Sequence, residues 1–432
     1  MNDLLTKINN LSTKYTKETE KEYLKKYGQF FTLDPLMLDK LLDDYKFKPN
    51  SKILEPSFGT GMILHKYRDT EMKFNLKCQQ KEICTSVIDA VELDKNIHNK
   101  TVKIFKSNYN INFINTDFLK ENLLENSYDL IVGNPPYFEM KKENIPFGFE
   151  KITKSSGRVN IYSLFIYKSI KLLKIGGELR FIIPKTILSG KYFNKLRIWI
   201  SEQCDIIDIV KFDKNNMFTK ALQSVIILKL KKRKENFKAS EKYLYKINNN
   251  VYFVKEHKNL FIDEDTKTIL ELDCKVKTGN IVWNQHKELL QEKQLEKNLP
   301  LVMSSNLSNG KLILNKNDNK NDNKEVKKVE KKQFIKITDS NKQLIISGPF
   351  ILINRIVGMN PPKINMYFEK KSDKKYFIEN HVNIISGKLT DLSKIYKSLN
   401  NPKTVIFINE IIGNTQLSQD ELENLIPIFT IN

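Results

Sequence analysis

Cysteine is scarce in this chain of 432 residues, and the four present (Cys78, Cys84, Cys204 and Cys274) form no Cys-x-x-Cys pair. They do not cluster with histidine, of which there are five, at metal-ligand spacing. Neither a zinc site nor a disulfide framework is expected, which suits a reducing compartment. Long apolar runs are missing too. None approaches the about 20 residues needed to cross a bilayer, and the start, Met1-Asn2-Asp3-Leu4, has no apolar signal core. The expectation is a soluble, cytoplasmic protein. An acidic balance is likewise absent: 72 Lys plus Arg face 51 Asp plus Glu, a formal net charge of +21. That surplus exceeds what solubility needs and points to a polyanionic partner. Only six of the cations are Arg. The Lys bias, with the abundance of Asn and Ile, fits an AT-rich coding sequence, so part of the charge reflects composition.

What the chain does contain is organised around Tyr128-Asp129-Leu130-Ile131-Val132-Gly133-Asn134-Pro135-Pro136-Tyr137. The apolar run reads as a buried strand. It stops at an amide followed by two prolines, which cannot continue a ladder and which fix the next carbonyls. An amide oxygen, rigid carbonyls and an aromatic ring therefore meet at the carboxyl end of a strand, where ligands bind in open α/β sheets. The exocyclic amine of a nucleobase is a poor nucleophile, because its lone pair is delocalised into the ring. The Asn134 side-chain oxygen and the Pro135 carbonyl would accept its two hydrogens and draw the nitrogen toward tetrahedral geometry, with Tyr137 stacked on the base. The plainer reading is a strand-ending turn, since Asn-Pro pairs commonly start turns.

The rest of the chain favours the first reading. Residues 1–26 read as a charged helix, and a helical pattern surrounds Leu36 to Tyr45. Lys52 to Pro56 is a first strand, followed by Ser57-Phe58-Gly59-Thr60-Gly61 and a helix from Met62, the start of a nucleotide-binding βαβ unit. The second strand, Ile88 to Asp94, and the third, Ile111 to Ile114, end in acidic or polar residues, as the fourth does at Asn134. Carboxylates so placed accept hydrogen bonds from ribose hydroxyls. Residues 138–160 read as a mobile loop. A helix from Ile161 to Leu173 leads into a fifth strand ending at Pro184, and Asp205 to Phe212 and Ser224 to Leu230 supply two more. The pattern breaks into charge around Lys231 to Asn236, taken as the domain boundary. Asn315 to Lys332 is a low-complexity run that reads as a disordered insertion.

Taken in order, these pieces resemble the S-adenosylmethionine-dependent DNA adenine-N6 methyltransferases of the gamma motif order, of the type II restriction–modification kind. The aromatic Gly28-Gln29-Phe30-Phe31-Thr32 comes first, then the Gly-rich turn, the acidic second strand, Asp117-Phe118, and the Asn-Pro-Pro-Tyr tetrad. The resemblance covers about residues 20–230; beyond that it is limited to Val276 to Asn284 and Ile353-Asn354-Arg355. It implies an α/β, Rossmann-like, seven-stranded class I methyltransferase domain over residues 1–235, with an N-terminal helical segment. A C-terminal α+β target-recognition domain would follow over 236–432, carrying the insertion at 315–332. The cofactor implied is S-adenosylmethionine, without metal. Phe31 and Thr32 would lie along its methionine part, Glu55, Pro56, Gly59 and Gly61 would shape the pocket, Glu92 would hold the ribose and Leu93 would pack on the adenine ring. Asp117 would accept from the cofactor's amino group, with Phe118 against the ring. Asn134, Pro135, Pro136 and Tyr137 would grip the target base. A further aromatic after the fifth strand, Phe193 with Tyr192 as the near alternative, would stack on its other face.

Such a pocket cannot be reached by a base inside a duplex, so the resemblance implies base flipping. It also implies double-stranded DNA as partner, a monomer on that DNA, and either a separately acting cognate restriction endonuclease or a solitary methylase. The chain departs from the family where Leu33 follows the threonine in place of proline, and where Phe58 precedes the first glycine. Trp283 and Asn284 would contact DNA or form an interface strand; Arg355 would read guanine or make a structural ion pair. A second Asn-Pro-Pro, at Asn360, is followed by Lys363 and reads as a loop. The rival function on the same tetrad is methylation of RNA amines or of a protein glutamine amide.

Overall fold

A computed structural model describes residues 2–20, 22, 34–78, 85–105, 110–153, 158–212, 225–234, 240–247, 249–262, 266–314, 332–358, 361–371, 373–412 and 416–429. The chain divides into two compact units, Met1–Lys255 and Glu256–Asn432. Phe31 and Thr32, Asn360, and nearly all of the Lys-rich insertion lie outside the described residues.

The first unit is built on one sheet. Its strands are β1 (Lys52–Glu55), β2 (Val87–Glu92), β3 (Ile111–Asn115), β4 (Tyr128–Gly133), β5 (Leu173–Pro184), β6 (Cys204–Lys211) and β7 (Val225–Lys232). They stand in the order β3-β2-β1-β4-β5-β7-β6. The first five are parallel, and β7 runs antiparallel to both β5 and β6. The central strands read as continuous Ile, Leu and Val because both faces are covered. One face buries Leu54, Ile131, Leu179 and Phe181 against α5 (Ile161–Leu172) and α6 (Asn194–Gln203). The other buries Ile53, Leu130 and Ile182 against α1 (Asn2–Glu18), α2 (Pro35–Leu42) and α3 (Met62–Cys78), with Phe105 closing α4 (Lys95–Phe105). This is the class I methyltransferase arrangement, and its strand order reverses between β1 and β4, where a ligand crevice opens at the carboxyl ends.

Two cations inside this unit are informative. Arg180 on β5 and Lys229 on β7 are almost wholly buried. Arg180 Nη1 donates to Asp44 Oδ1 at 2.6 Å and Nε to Glu178 Oε2 at 2.9 Å; Lys229 Nζ donates to Asp44 at 2.6 Å and Asp43 at 3.0 Å. Burial works to raise the Asp44 carboxyl, but Lys229 and Arg180 bring it down to about 2. The end of α2 is thereby tied to the sheet.

The structure corrects two expectations of organisation. The stretch after Asn-Pro-Pro-Tyr is not wholly a loop: Glu139–Lys141 pairs antiparallel with Arg158–Asn160, and Phe149 and Ile152 are buried in the core. The first unit also runs past the charge run at 231–236. Leu244–Ile247 and Asn250–Phe253 form a hairpin whose Leu244, Val251 and Phe253 join the α5–α6 core, so the boundary falls after Lys255. The charge run begins within β7, which ends at Lys232.

The second unit is α+β. Lys275–Thr278, Val382–Ser386, Phe350–Asn354 and Met366–Glu369 form a four-stranded antiparallel sheet, beside a five-stranded sheet that includes Asn298–Val302 and Lys375–Ile378. Helices α7 (Leu389–Leu399), α8 (Pro402–Ile411) and α9 (Gln419–Asn424) follow. The last starts at a capping box between Ser418 and Glu421, which satisfies two otherwise orphaned N–H groups.

Candidate functional site

The carboxyl end of β1 runs through Glu55 and Pro56 into the Gly-rich turn. Gly59 and Gly61 have φ of +52° and +83°, the left-handed region that favours glycine. A Cβ on Gly61 would stand 2.4 Å from the Phe105 ring, so no side chain fits there. The turn is held from several sides. Phe58 N–H donates to Val91 O at 3.0 Å, Gly59 N–H to Glu92 Oε2 at 2.9 Å, and the Thr101 hydroxyl to Gly59 O at 2.9 Å. From α1 the Ser12 hydroxyl donates to Thr60 at 2.7 Å, and the Tyr15 hydroxyl bonds Asp94.

Two carboxyls face this turn from adjacent strand ends. Glu92 accepts Gly59 N–H on one oxygen and Asp94 N–H on the other, the latter at 2.8 Å. Burial pushes it up to about 7 although those N–H groups pull the other way. Glu55 is 1% exposed, and its Oε2 has no hydrogen-bond partner. Burial, then the charge of Glu92, lifts it well above the usual range. A buried carboxyl oxygen without a partner among the described residues is uncommon. Beside Glu92 the Leu93 side chain is 52% exposed, an apolar surface next to an acceptor.

From the β3 end, Asp117 is half-buried and accepts Leu119 N–H at 3.0 Å, with Lys120 Nζ at 3.7 Å. Phe118 is placed differently from its neighbour. It is 2% exposed, its ring packs on Phe165 at 4.9 Å, and the Lys168 ammonium lies 5.1 Å over it. The ring belongs to the core. Acceptors at the ends of β1, β2 and β3, an exposed leucine and a glycine turn fit a ligand with hydroxyl and amino donors around a flat ring, as S-adenosylmethionine has.

At the β4 end, Asn134 O accepts from the Ser57 hydroxyl at 3.2 Å, which joins the tetrad to the Gly-rich turn. Pro135 is buried and Pro136 partly so. The Tyr137 hydroxyl, with one proton to give, lies against both Asn134 Oδ1 and Ile182 O, the latter at 2.7 Å. Burial, then Tyr162, pushes the Tyr137 phenol well above its usual range, so it stays a donor. The Tyr137 ring meets Tyr162 edge-on at 6.2 Å, and Phe193 stacks on the same Tyr162 at 5.2 Å. Tyr192, by contrast, is 73% exposed.

Three residues here carry no signal in the one-dimensional reading. Tyr162 links the two aromatics expected around the base. Arg197 on α6, almost wholly buried, donates Nη1 to Ile187 O at 3.0 Å and Gly190 O at 2.8 Å, and Nε to Val251 O. It fixes the segment that carries Tyr192 and Phe193. Phe147, in the stretch after the tetrad, is 95% exposed.

In the second unit, Ile281, just ahead of Trp283 and Asn284, and Arg355 both bond the Asn380–His381 turn. Asn380 N–H donates to Ile281 O at 3.0 Å, Arg355 N–H to His381 O at 2.8 Å, and Arg355 Nη1 to Asn380 O at 3.4 Å. Trp283 and Asn284 are exposed. Arg355 makes no ion pair among the described residues, and its Nε has no partner. His381, not singled out by sequence, sits at the same turn, with Nδ1 bonded at 2.5 Å to the buried Glu379.

Burial pushes the Cys204 thiol up to about 12 and also raises Cys274, the wrong environment for a nucleophilic thiolate. Among the described residues no group of three or more His, Cys, Asp or Glu could hold a metal, and no helix is long and apolar enough to cross a membrane.

Residues 62–218 match the family model described as Eco57I restriction-modification methylase. The modification methylase CviBIII of Paramecium bursaria Chlorella virus NC1A is 27% identical over 97% of this chain and 98% of its own length. The type II methyltransferase M.AccI of Acinetobacter calcoaceticus is 31% identical over 51% of this chain and 39% of its own. A solved type I restriction-modification methyltransferase subunit from Streptococcus thermophilus is 19% identical over 54% of this chain and 52% of that one, with a TM-score of 0.38, too distant to add to the strand order. With the sheet, the glycine turn and the acceptor row already described, these matches show residues 62–218 to be similar to restriction-modification methylases of the Eco57I kind, on a class I methyltransferase fold.

Proposed function

We propose that the protein transfers the methyl group of S-adenosylmethionine to the N6 amine of an adenine flipped out of duplex DNA. The observation that carries this reading is Asn134 at the end of β4, its side-chain oxygen held by the Tyr137 hydroxyl and its backbone carbonyl joined through Ser57 to the glycine turn. Bound there, S-adenosylmethionine supplies an electrophilic methyl on a sulfonium. Glu92 and Asp117 accept its ribose and amino donors, and Leu93 covers its ring. Asn134 Oδ1 and Pro135 O accept the two N–H hydrogens of the base and free its lone pair for attack. The second lone pair of Oδ1 suffices for this while Tyr137 holds the first, so the phenol keeps the amide turned the right way. No general base is needed before attack, because the amine enters neutral and sheds its proton afterwards.

The base must leave the stack to reach such a pocket. Phe147, exposed on the segment after the tetrad, suits the gap left behind. The second unit serves as target-recognition domain, with Arg355, His381, Trp283 and Asn284 as the base-reading group. The protein acts as a monomer and as the methylating partner of a separate restriction endonuclease.

Labelled S-adenosylmethionine with mixed-sequence duplex DNA, followed by nucleoside analysis, tests the proposal, with RNA and protein extract alongside. N6-methyladenine from DNA supports it. N4-methylcytosine, or label only in RNA or protein, overturns the assigned substrate.

A further inference from the structure

A second cleft opens at the other end of the first unit's sheet, about 740 Å³ in volume. It lies where β4 and β5 begin and β7 ends, between Asn126, Lys174 and Lys232, so about the length of β4, roughly 17 Å, separates it from Asn134. One wall is cationic: Lys151, Lys171, Lys174, Lys232, Arg233 and Lys234. The lining holds a single carboxylate, Glu125, which pairs with Lys171 at 2.7 Å; Asp129 behind takes Lys174 at 2.7 Å, and Asp205 takes Arg233 at 3.2 Å. Lys151 and Lys234 make no ion pair among the described residues. The opposite wall is apolar and aromatic, with Tyr167 and Trp199 in ring contact at 4.3 Å and Ile175 largely exposed.

Two features show a site rather than a solvated charged face. Lys232 is fixed, its ammonium donating to Asn126 Oδ1 and Leu173 O, each at 2.8 Å. Arg233 is clamped by Ser201 O at 2.8 Å and Glu202 O at 2.6 Å, its side chain is only 8% exposed, and its Nε–H has no acceptor. The volume is that of a small-molecule site. We propose that this cleft binds a nucleoside phosphate, its phosphates on the lysine wall and Arg233 and its base against the aromatic and aliphatic wall. The cofactor and methylation pocket plays no part in it.

The chain has two tryptophans, so Trp283→Phe leaves Trp199 as the reporter. With the cofactor pocket filled by S-adenosylhomocysteine, that protein is titrated at fixed ionic strength with ATP, with inorganic tripolyphosphate, and with a ten-nucleotide single strand. The proposal expects a saturable change in Trp199 emission with ATP, at least tenfold tighter than with tripolyphosphate. Lys151→Glu combined with Lys234→Glu should weaken it at least tenfold while S-adenosylhomocysteine binding persists. Displacement of ATP by the single strand assigns the phosphate to a nucleic-acid end; no displacement assigns it to a free nucleotide. Equal response to ATP and tripolyphosphate, or none to either in the single-tryptophan protein, overturns the proposal.

Discussion

The two ends of the first unit's sheet are chemically opposite. At the carboxyl end stand Glu55, Glu92, Asp94, Asp117 and Asn134, acceptors gathered around a glycine turn. At the amino end stand Lys171, Lys174, Lys232 and Arg233, donors gathered around two aromatic rings. Different elements carry the two sets: β1 to β4 end in the acceptors, whereas the donors come from the end of α5, the start of β5 and the end of β7. The acceptor end suits a cationic cofactor and a neutral amine; the donor end suits an anion.

Removing one acceptor should break the first end alone. Asn134→Ala should lower kcat by about two to three orders of magnitude and leave S-adenosylmethionine affinity within about twofold, since the residue grips the base. Retained turnover would take Asn134 out of the mechanism. Gly61→Ala should collapse cofactor binding and destabilise the fold by about 3 kcal/mol, from the Phe105 collision and the positive φ together. Calorimetric binding and thermal melting read both effects, and unchanged cofactor affinity would remove the turn from the pocket.

Subtler changes sharpen the contrast. Tyr137→Phe keeps the ring and deletes the bond that orients Asn134, so kcat should fall about tenfold, the worth of one such hydrogen bond, with KM for DNA nearly unchanged. A larger rise in KM would make Tyr137 a binding residue only. The smallest effect is one of pH. With Glu92 at about 7, its ionised form fades as pH falls through 7. Cofactor affinity should drop about five- to tenfold from pH 7.5 to 6, and Glu92→Gln should flatten that slope. Stability runs the other way. The native state holds this proton between the unfolded value, 4.5, and about 7, so the unliganded protein gains from Glu92 at low pH and loses that gain as pH rises through 7.

Much of the catalytic unit was legible because its signals are local. A strand ends, glycines or prolines follow, and an acceptor sits at the junction; Gly59, Glu92 and Asn134 all read this way. Arg197 and Tyr162 were not legible, since their importance comes from what folds beside them. Arg197 reaches carbonyls of the preceding loop and of a hairpin assigned by sequence to another domain. Phe118 is the reverse case. The strand-end position is right, yet its ring turns inward to Phe165 while Asp117 stays at the surface. In the second unit strands are short and registers come from distant partners, so the convergence of Ile281 and Arg355 on Asn380 could be seen only in three dimensions.

The unpartnered oxygen of Glu55 makes the pocket a proton reservoir. Burial and the charge of Glu92 lift the Glu55 carboxyl well above its usual range, which favours a proton there in the unliganded protein. A ligand bringing positive charge and donors drives that proton out into the buffer. Heat measured on cofactor binding would therefore contain the buffer's own ionisation enthalpy. Titrations in phosphate and in Tris would differ by a slope that counts the protons released.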